Sequence, residues 1–136
     1  HGVQDSPDLL VDDILAKTKG RADPALARVL AEQCGPTLDW LADRHAVPLR
    51  LDFAWTGLGH SRPRLHLPPG RSGEELLALL HAAAARAGAG LLTEARVDAL
   101  YATADDRVVG VRVRRPDGRA EDVGCDALVL ATCGFG

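Results

Sequence analysis

The side chains best suited to chemistry sit together in one polar stretch, Gly59-His60-Ser61-Arg62-Pro63-Arg64-Leu65-His66. An imidazole can give or take a proton near neutral pH, and a guanidinium grips an anion with paired N–H donors. His60, Ser61, Arg64 and His66 are therefore candidates for the substrate side of a site, with Arg64 offering an anion contact. The plainer alternative is that the same groups hydrogen-bond within the loop and fix its shape. A metal held by His60 and His66 is disfavoured, because no carboxylate or thiol lies near them in sequence, and no metal is expected. Gly70-Arg71-Ser72-Gly73 stands where free amides at a helix start could bind phosphate. No P-loop lysine accompanies it, and an ordinary capped helix explains it better. Asp105-Asp106 reads as a turn, not a catalytic carboxylate pair, and His45 and His81 read as solvated or capping groups on helices. Thr132 ends an apolar run, where it could meet a ligand or only satisfy strand-end backbone.

These residues need elements to position them. Ser6-Pro7-Asp8 has the chemistry of a helix start, and the helix should run to about Lys19 and stop at Gly20. Asp23-Pro24 repeats the signal. Leu26, Val29, Leu30, Gln33/Cys34, Thr37/Leu38 and Leu41 then recur at three- and four-residue steps, one face of a long amphipathic helix that Pro36 should kink or split and Trp40 should anchor. Residues 49–72 have no clean period beyond a short strand at Arg50-Leu51-Asp52-Phe53. Ser72-Gly73-Glu74-Glu75 is a capping box, opening a third helix with Leu76, Leu77, Leu80, Ala83, Ala84 and Ala87 inward. After Gly90 the period changes to two. Leu91-Leu92-Thr93 is a candidate strand. Arg96 to Thr103, Val109 to Arg114 and Arg119 to Val123 form a three-stranded meander, with turns at Asp105-Asp106 and Pro116-Asp117-Gly118. Ala127-Leu128-Val129-Leu130-Ala131 is a continuous apolar run, as expected of a parallel-type strand covered on both faces.

Composition removes several classes of function. The 136 residues suit one domain, and 46% apolar with 26% charged residues is a globular balance. The net charge of -3 and the scattered Lys and Arg, densest at Arg112, Arg114 and Arg115, give no basic stripe for nucleic acid. No apolar run approaches the ~18 residues of a membrane span. Cys34, Cys125 and Cys133 form no CxxC pair, so neither zinc nor a disulfide framework is indicated; three thiols suit a reducing, cytoplasmic setting.

The segment Ala131-Thr132-Cys133-Gly134-Phe135-Gly136 resembles the ATGG(F/Y)G segment of flavoproteins with the glutathione-reductase-like FAD fold, and a meander is what that fold inserts just before it. Asp5-Ser6-Pro7, Asp23-Pro24-Ala25-Leu26 and Thr37-Leu38-Asp39-Trp40-Leu41 followed by Val47-Pro48 are similar to the helical stretch of the fumarate reductase/succinate dehydrogenase flavoproteins. Gly59 to His66 resembles their GGHSxxRxH segment, and Arg96-Val97 with Leu100 their T-x-V-x-x-L strand. The sequence departs from the pattern at Cys133, where Gly is usual, and at Leu58, which replaces the Gly before Gly59. The resemblance covers nearly the whole chain in order.

That resemblance implies an α/β fold, α+β within this chain. A helical and loop segment at 1–72 would border the substrate side, and 73–136 would be the second part of a FAD-binding domain. It implies FAD contacts at Val97, through its backbone, and at Ala131, Thr132, Cys133 and Gly134. No GxGxxG fingerprint occurs in the chain. The family's catalytic Arg and His residues belong after the ATGG segment, so the catalytic groups are expected in missing N- and C-terminal parts of a parent chain. The expected function is hydride transfer between FAD and a C–C bond of a small organic acid or similar substrate. Two rivals stand beside it: a related flavoenzyme such as a 3-ketosteroid dehydrogenase or aspartate oxidase, and a non-enzymatic α+β ligand- or partner-binding module.

Overall fold

The computed structural model describes residues 2–133, so Gly134, one of the expected cofactor contacts, lies outside the described residues. The chain forms two compact units, His1–Gly90 and Leu91–Gly136.

The first unit opens with α1 (Pro7–Lys17), capped where Ser6 Oγ accepts the Leu9 N–H. It ends two residues before the expected Lys19. Lys19 takes the left-handed conformation (φ 54°) there, while Gly20 N–H reaches back to the Leu15 carbonyl at 2.8 Å and closes the last turn. The second helix, α2 (Pro24–His45), is held at its start by Asp23, whose carboxylate accepts from Ala25 and Leu26 N–H. Of the kink or split expected at Pro36, the split does not occur: α2 is one helix through Pro36. Proline's fixed φ is compatible with a helix; its cost here is one missing N–H, and Glu32, whose carbonyl loses that donor, is exposed to water.

The buried stripe of α2 also differs from the expected one. Ala27 and Ala31 are buried and Cys34, Leu38 and Leu41 half-buried, whereas Leu26, Val29 and Leu30 are exposed. Small residues carry the contact because they let α1 approach closely. Val11, Ala27 and Ala31 form the cluster, with Leu10, Ile14 and Leu15 packed around it. Trp40 anchors nothing: it is half exposed, its ring edge-on to His45 at 4.2 Å. Val47, fully buried, follows the left-handed Ala46 that ends α2.

The expected strand at Arg50 shrinks to β1 (Arg50–Leu51), paired antiparallel with β2 (His66–Leu67), which the sequence did not reveal. Asp52 is buried directly after β1, and its carboxylate accepts from Ala54 N–H at 2.9 Å and Arg71 Nη2 at 2.8 Å. The last helix of the unit is α3 (Gly73–Arg86). Ser72 Oγ accepts Glu75 N–H as expected, but Glu75 reaches back to Gly70 N–H at 2.6 Å, so the capping box closes two residues further out. Its inner face is Leu76, Leu79, Leu80 and Ala83; Leu77, Ala84 and Ala87 are exposed, contrary to expectation.

The second unit is the meander: β3 (Arg96–Ala102), β4 (Val108–Arg114) and β5 (Ala120–Gly124), antiparallel in that order. Val111 and Val113 on the central strand are buried, and both expected turns are present. Gly110 is required by close approach, since a Cβ there would lie 2.7 Å from the Val123 carbonyl oxygen. Two expected strands are absent. Neither Leu91–Thr93 nor the 127–131 run forms a strand, and Val129 is 86% exposed. A strand buried on both faces requires neighbouring strands and covering helices, which the described residues of this unit do not supply. What is observed among the described residues is thus α+β: helices with two small antiparallel sheets.

Candidate functional site

The 52–65 connection between β1 and β2 carries His60, Ser61 and Arg64, with His66 opening β2, and its shape is imposed by the start of the chain. Arg64 Nε and Nη2 donate to the two oxygens of Asp5 at 2.6 and 2.8 Å, a bidentate grip. Arg64 Nη1 donates to Asp13 Oδ2 on α1 at 2.5 Å and faces His60 Nδ1 at 3.2 Å. The same Asp13 oxygen accepts Ser61 N–H at 2.8 Å and Ser61 Oγ at 2.9 Å. Arg62 Nε donates to the Gln4 carbonyl, and the Arg64 carbonyl faces His66 Nδ1 at 3.0 Å. Gly59 (φ 89°) passes so close to α1 that a Cβ would lie 2.7 Å from the Lys17 side chain.

This network is largely shielded: the Arg64 side chain keeps 12% of its surface exposed, Asp13 17% and Asp5 28%. The Ser61 backbone N–H and the Arg64 guanidinium hold the Asp13 carboxyl down at about 2. The Arg64 side chain likewise lowers Asp5, and the Asp5 hydrogen bond raises Arg64 above the usual arginine range. These contacts of Arg64 and Ser61 fix the loop, and most of the N–H donors of Arg64 are engaged in them.

Beside the loop lies an open, mainly apolar groove of about 750 Å³ between α1, α2 and β1. Leu10, Ile14, Leu30 and Leu38 line it, and so do His60, Arg64 and His66. Three of the four substrate-side candidates are thus brought together, while Ser61 turns to Asp13. An apolar cleft with a few convergent polar groups is the usual form of a small-molecule site. Asp5 and Asp13 are the participants that sequence reasoning missed. Asp13 lies 48 residues from Ser61, and nothing in the local pattern of α1 marks it.

In the second unit, Val97 pairs with Val113 and Ala99 with Arg112, so Asp98 is an extra residue that bulges β3 beside Val97. Such bulges re-aim the local backbone. Ala131, Thr132 and Cys133 are exposed, and Cys133 adopts φ 66°, a conformation glycine takes freely and a side chain resists. Among the described residues no three His, Cys, Asp or Glu converge as a metal site would require, and no helix is long and apolar enough to cross a membrane.

The profile of the FAD binding domain family matches residues 1–136. The chain is 31% identical over 138 residues to the probable fumarate reductase Ifc3 of Shewanella frigidimarina (strain NCIMB 400), covering 100% of this chain and 23% of that protein. It is 31% identical over 136 residues to the NADH:fumarate oxidoreductase of Klebsiella pneumoniae (strain 342), covering 98% of this chain and 14% of that one. Among solved structures it resembles the open conformation of a flavocytochrome c3 fumarate reductase, with a TM-score of 0.84 and 31% identity, over 100% of this chain and 24% of that one. The chain thus spans less than a quarter of the length of each of these proteins. With every residue inside the family match, the chain belongs to the FAD binding domain family, in its fumarate reductase/succinate dehydrogenase flavoprotein branch, whose cofactor is FAD.

Proposed function

We propose that this chain is part of an oxidoreductase that transfers hydride between FAD and a C–C bond of a small organic acid. The observation that carries the reading is identity at 31% along essentially the whole chain to two proteins named for fumarate reduction. Bound FAD would supply the hydride chemistry; the protein's part is orientation and charge. Val97, Ala131, Thr132, Cys133 and Gly134 would hold the cofactor. Supporting this are the bulge that re-aims the backbone at Val97 and the small, exposed Ala131 and Thr132, which leave the main chain open to a flat ligand. His60 and His66 would stand at the substrate side, with residues 1–72 bordering the substrate and 73–136 serving the FAD domain. The pyrophosphate fingerprint and the catalytic acid would come from other parts of the parent chain. A reducing cytoplasmic setting suits the three free thiols.

The test is made on the full-length protein. It should retain FAD through purification, and its reduced flavin should be reoxidised by fumarate or another unsaturated acid. A protein that binds no FAD would be the non-enzymatic module instead. A flavoprotein reoxidised only by steroid or amino-acid substrates would be one of the related flavoenzymes.

A further inference from the structure

Arginine can only donate hydrogen bonds. The 3.2 Å contact between Arg64 Nη1 and His60 Nδ1 therefore requires Nδ1 to be the acceptor, which leaves the neutral imidazole's proton on Nε2. Arg64 is not free to move away, because Asp5 holds Nε and Nη2 and Asp13 holds Nη1. The ring is also confined from the other side: a Cβ on Gly57 would lie 3.0 Å from His60 Cδ2, so the ring rests against that backbone. We propose that Asp5 and Asp13 act through Arg64 as positioning residues that lock His60 in its Nε2–H tautomer, so that the groove presents one fixed N–H donor to a carboxylate oxygen of the substrate. The identity of the substrate oxygen rests on the function proposed above; the tautomer does not.

The arrangement explains why an arginine lining the groove is turned toward two carboxylates of its own chain. Its charge is balanced there, and its remaining contact sets the direction of a neighbouring imidazole. Asp13 is the pivotal member. Its Oδ2 also fixes Ser61 N–H, so the backbone carrying His60 and the guanidinium orienting its ring share one anchor.

The experiment uses FAD-loaded full-length protein with isotope-labelled histidine, read by long-range proton–nitrogen correlation in mildly alkaline buffer, with a His60→Gln spectrum to identify the resonances. A pyridine-like Nδ1 and a proton-bearing Nε2 are expected for His60. Asp13→Asn and Arg64→Met should each mix the two tautomers. In turnover, Arg64→Met should raise KM for the unsaturated acid about tenfold, the loss of one hydrogen bond to a charged oxygen. In a His60→Gln background that sensitivity should vanish. A proton on Nδ1 in the wild type, or an unchanged tautomer in either variant that folds, overturns the proposal. If Arg64→Met does not fold, the wild-type spectrum and Asp13→Asn still decide. If the tautomer is as expected but no unsaturated acid is reduced, the proposed substrate class fails while the positioning roles of Asp5 and Asp13 stand.

Discussion

Replacing Arg64 by Gln should destabilise the first unit by about 3 kcal/mol. The guanidinium makes two charge-assisted contacts, to Asp5 and to Asp13. Each is worth ~1.5–3 kcal/mol when shielded from water, and Asp5, the more exposed partner, contributes at the lower end. Asp13 retains both Ser61 donors in the variant, so the damage stops short of the ~3–5 kcal/mol typical of a fully buried broken pair. The loss has a pH signature. The Asp13 carboxyl titrates at about 2 in the folded protein against 3.8 ordinarily. Its stabilising contribution is thus complete above about 4 and disappears as pH falls through about 2. The gap between wild type and variant should therefore be widest at neutral pH and narrow on acidification across that window. Urea unfolding followed by tryptophan fluorescence is the assay, since Trp40 and Trp55 both lie in the first unit. A loss below about 1 kcal/mol at neutral pH, or a gap unchanged between pH 5 and pH 2, would refute the reasoning.

Three further outcomes are expected. Gly110→Ala should cost at least ~2 kcal/mol and remove hydrogen-exchange protection along β4 and β5, because the new Cβ meets a backbone oxygen that cannot swing aside; retained protection at Val111 and Val123 would contradict this. Pro36→Ala should stabilise α2 by ~1–3 kcal/mol by restoring a donor to the Glu32 carbonyl, and a lower urea midpoint would count against an uninterrupted helix. Cys133→Gly should relieve the left-handed strain at φ 66°, worth ~1 kcal/mol, and tighten FAD binding in a flavin titration of the full-length protein; weaker binding would show that the Cys133 side chain itself contacts the cofactor.

What could be read from the sequence divides along physical lines. The helix starts at Ser6, Asp23 and Ser72 were legible because a cap is a contact over two or three residues, and the meander because alternation and its turns are equally local. The buried face of α2 was misread because hydropathy favours Leu26, Val29 and Leu30, whereas close packing against α1 selected Ala27 and Ala31. The apolarity of the 127–131 run predicts a covered strand, yet a strand exists only where a partner ladder is present. At the candidate site, His60, Arg64 and His66 stood out by type and spacing. Their clamp, Asp5 and Asp13, did not, because it is a long-range match between carboxylates and a guanidinium that no local pattern records.

The clamp also sets how much chain must be organised to complete the site. Helices α1 and α2 are neighbours in sequence and can pair early, with little chain to organise. The contacts of Ser61 and Arg64 with Asp13 and Asp5 join residues 48 to 59 positions apart, with all of α2 lying between them in sequence. These contacts thus close longer loops than the pairing of α1 with α2 and carry the larger entropic cost of ordering the chain.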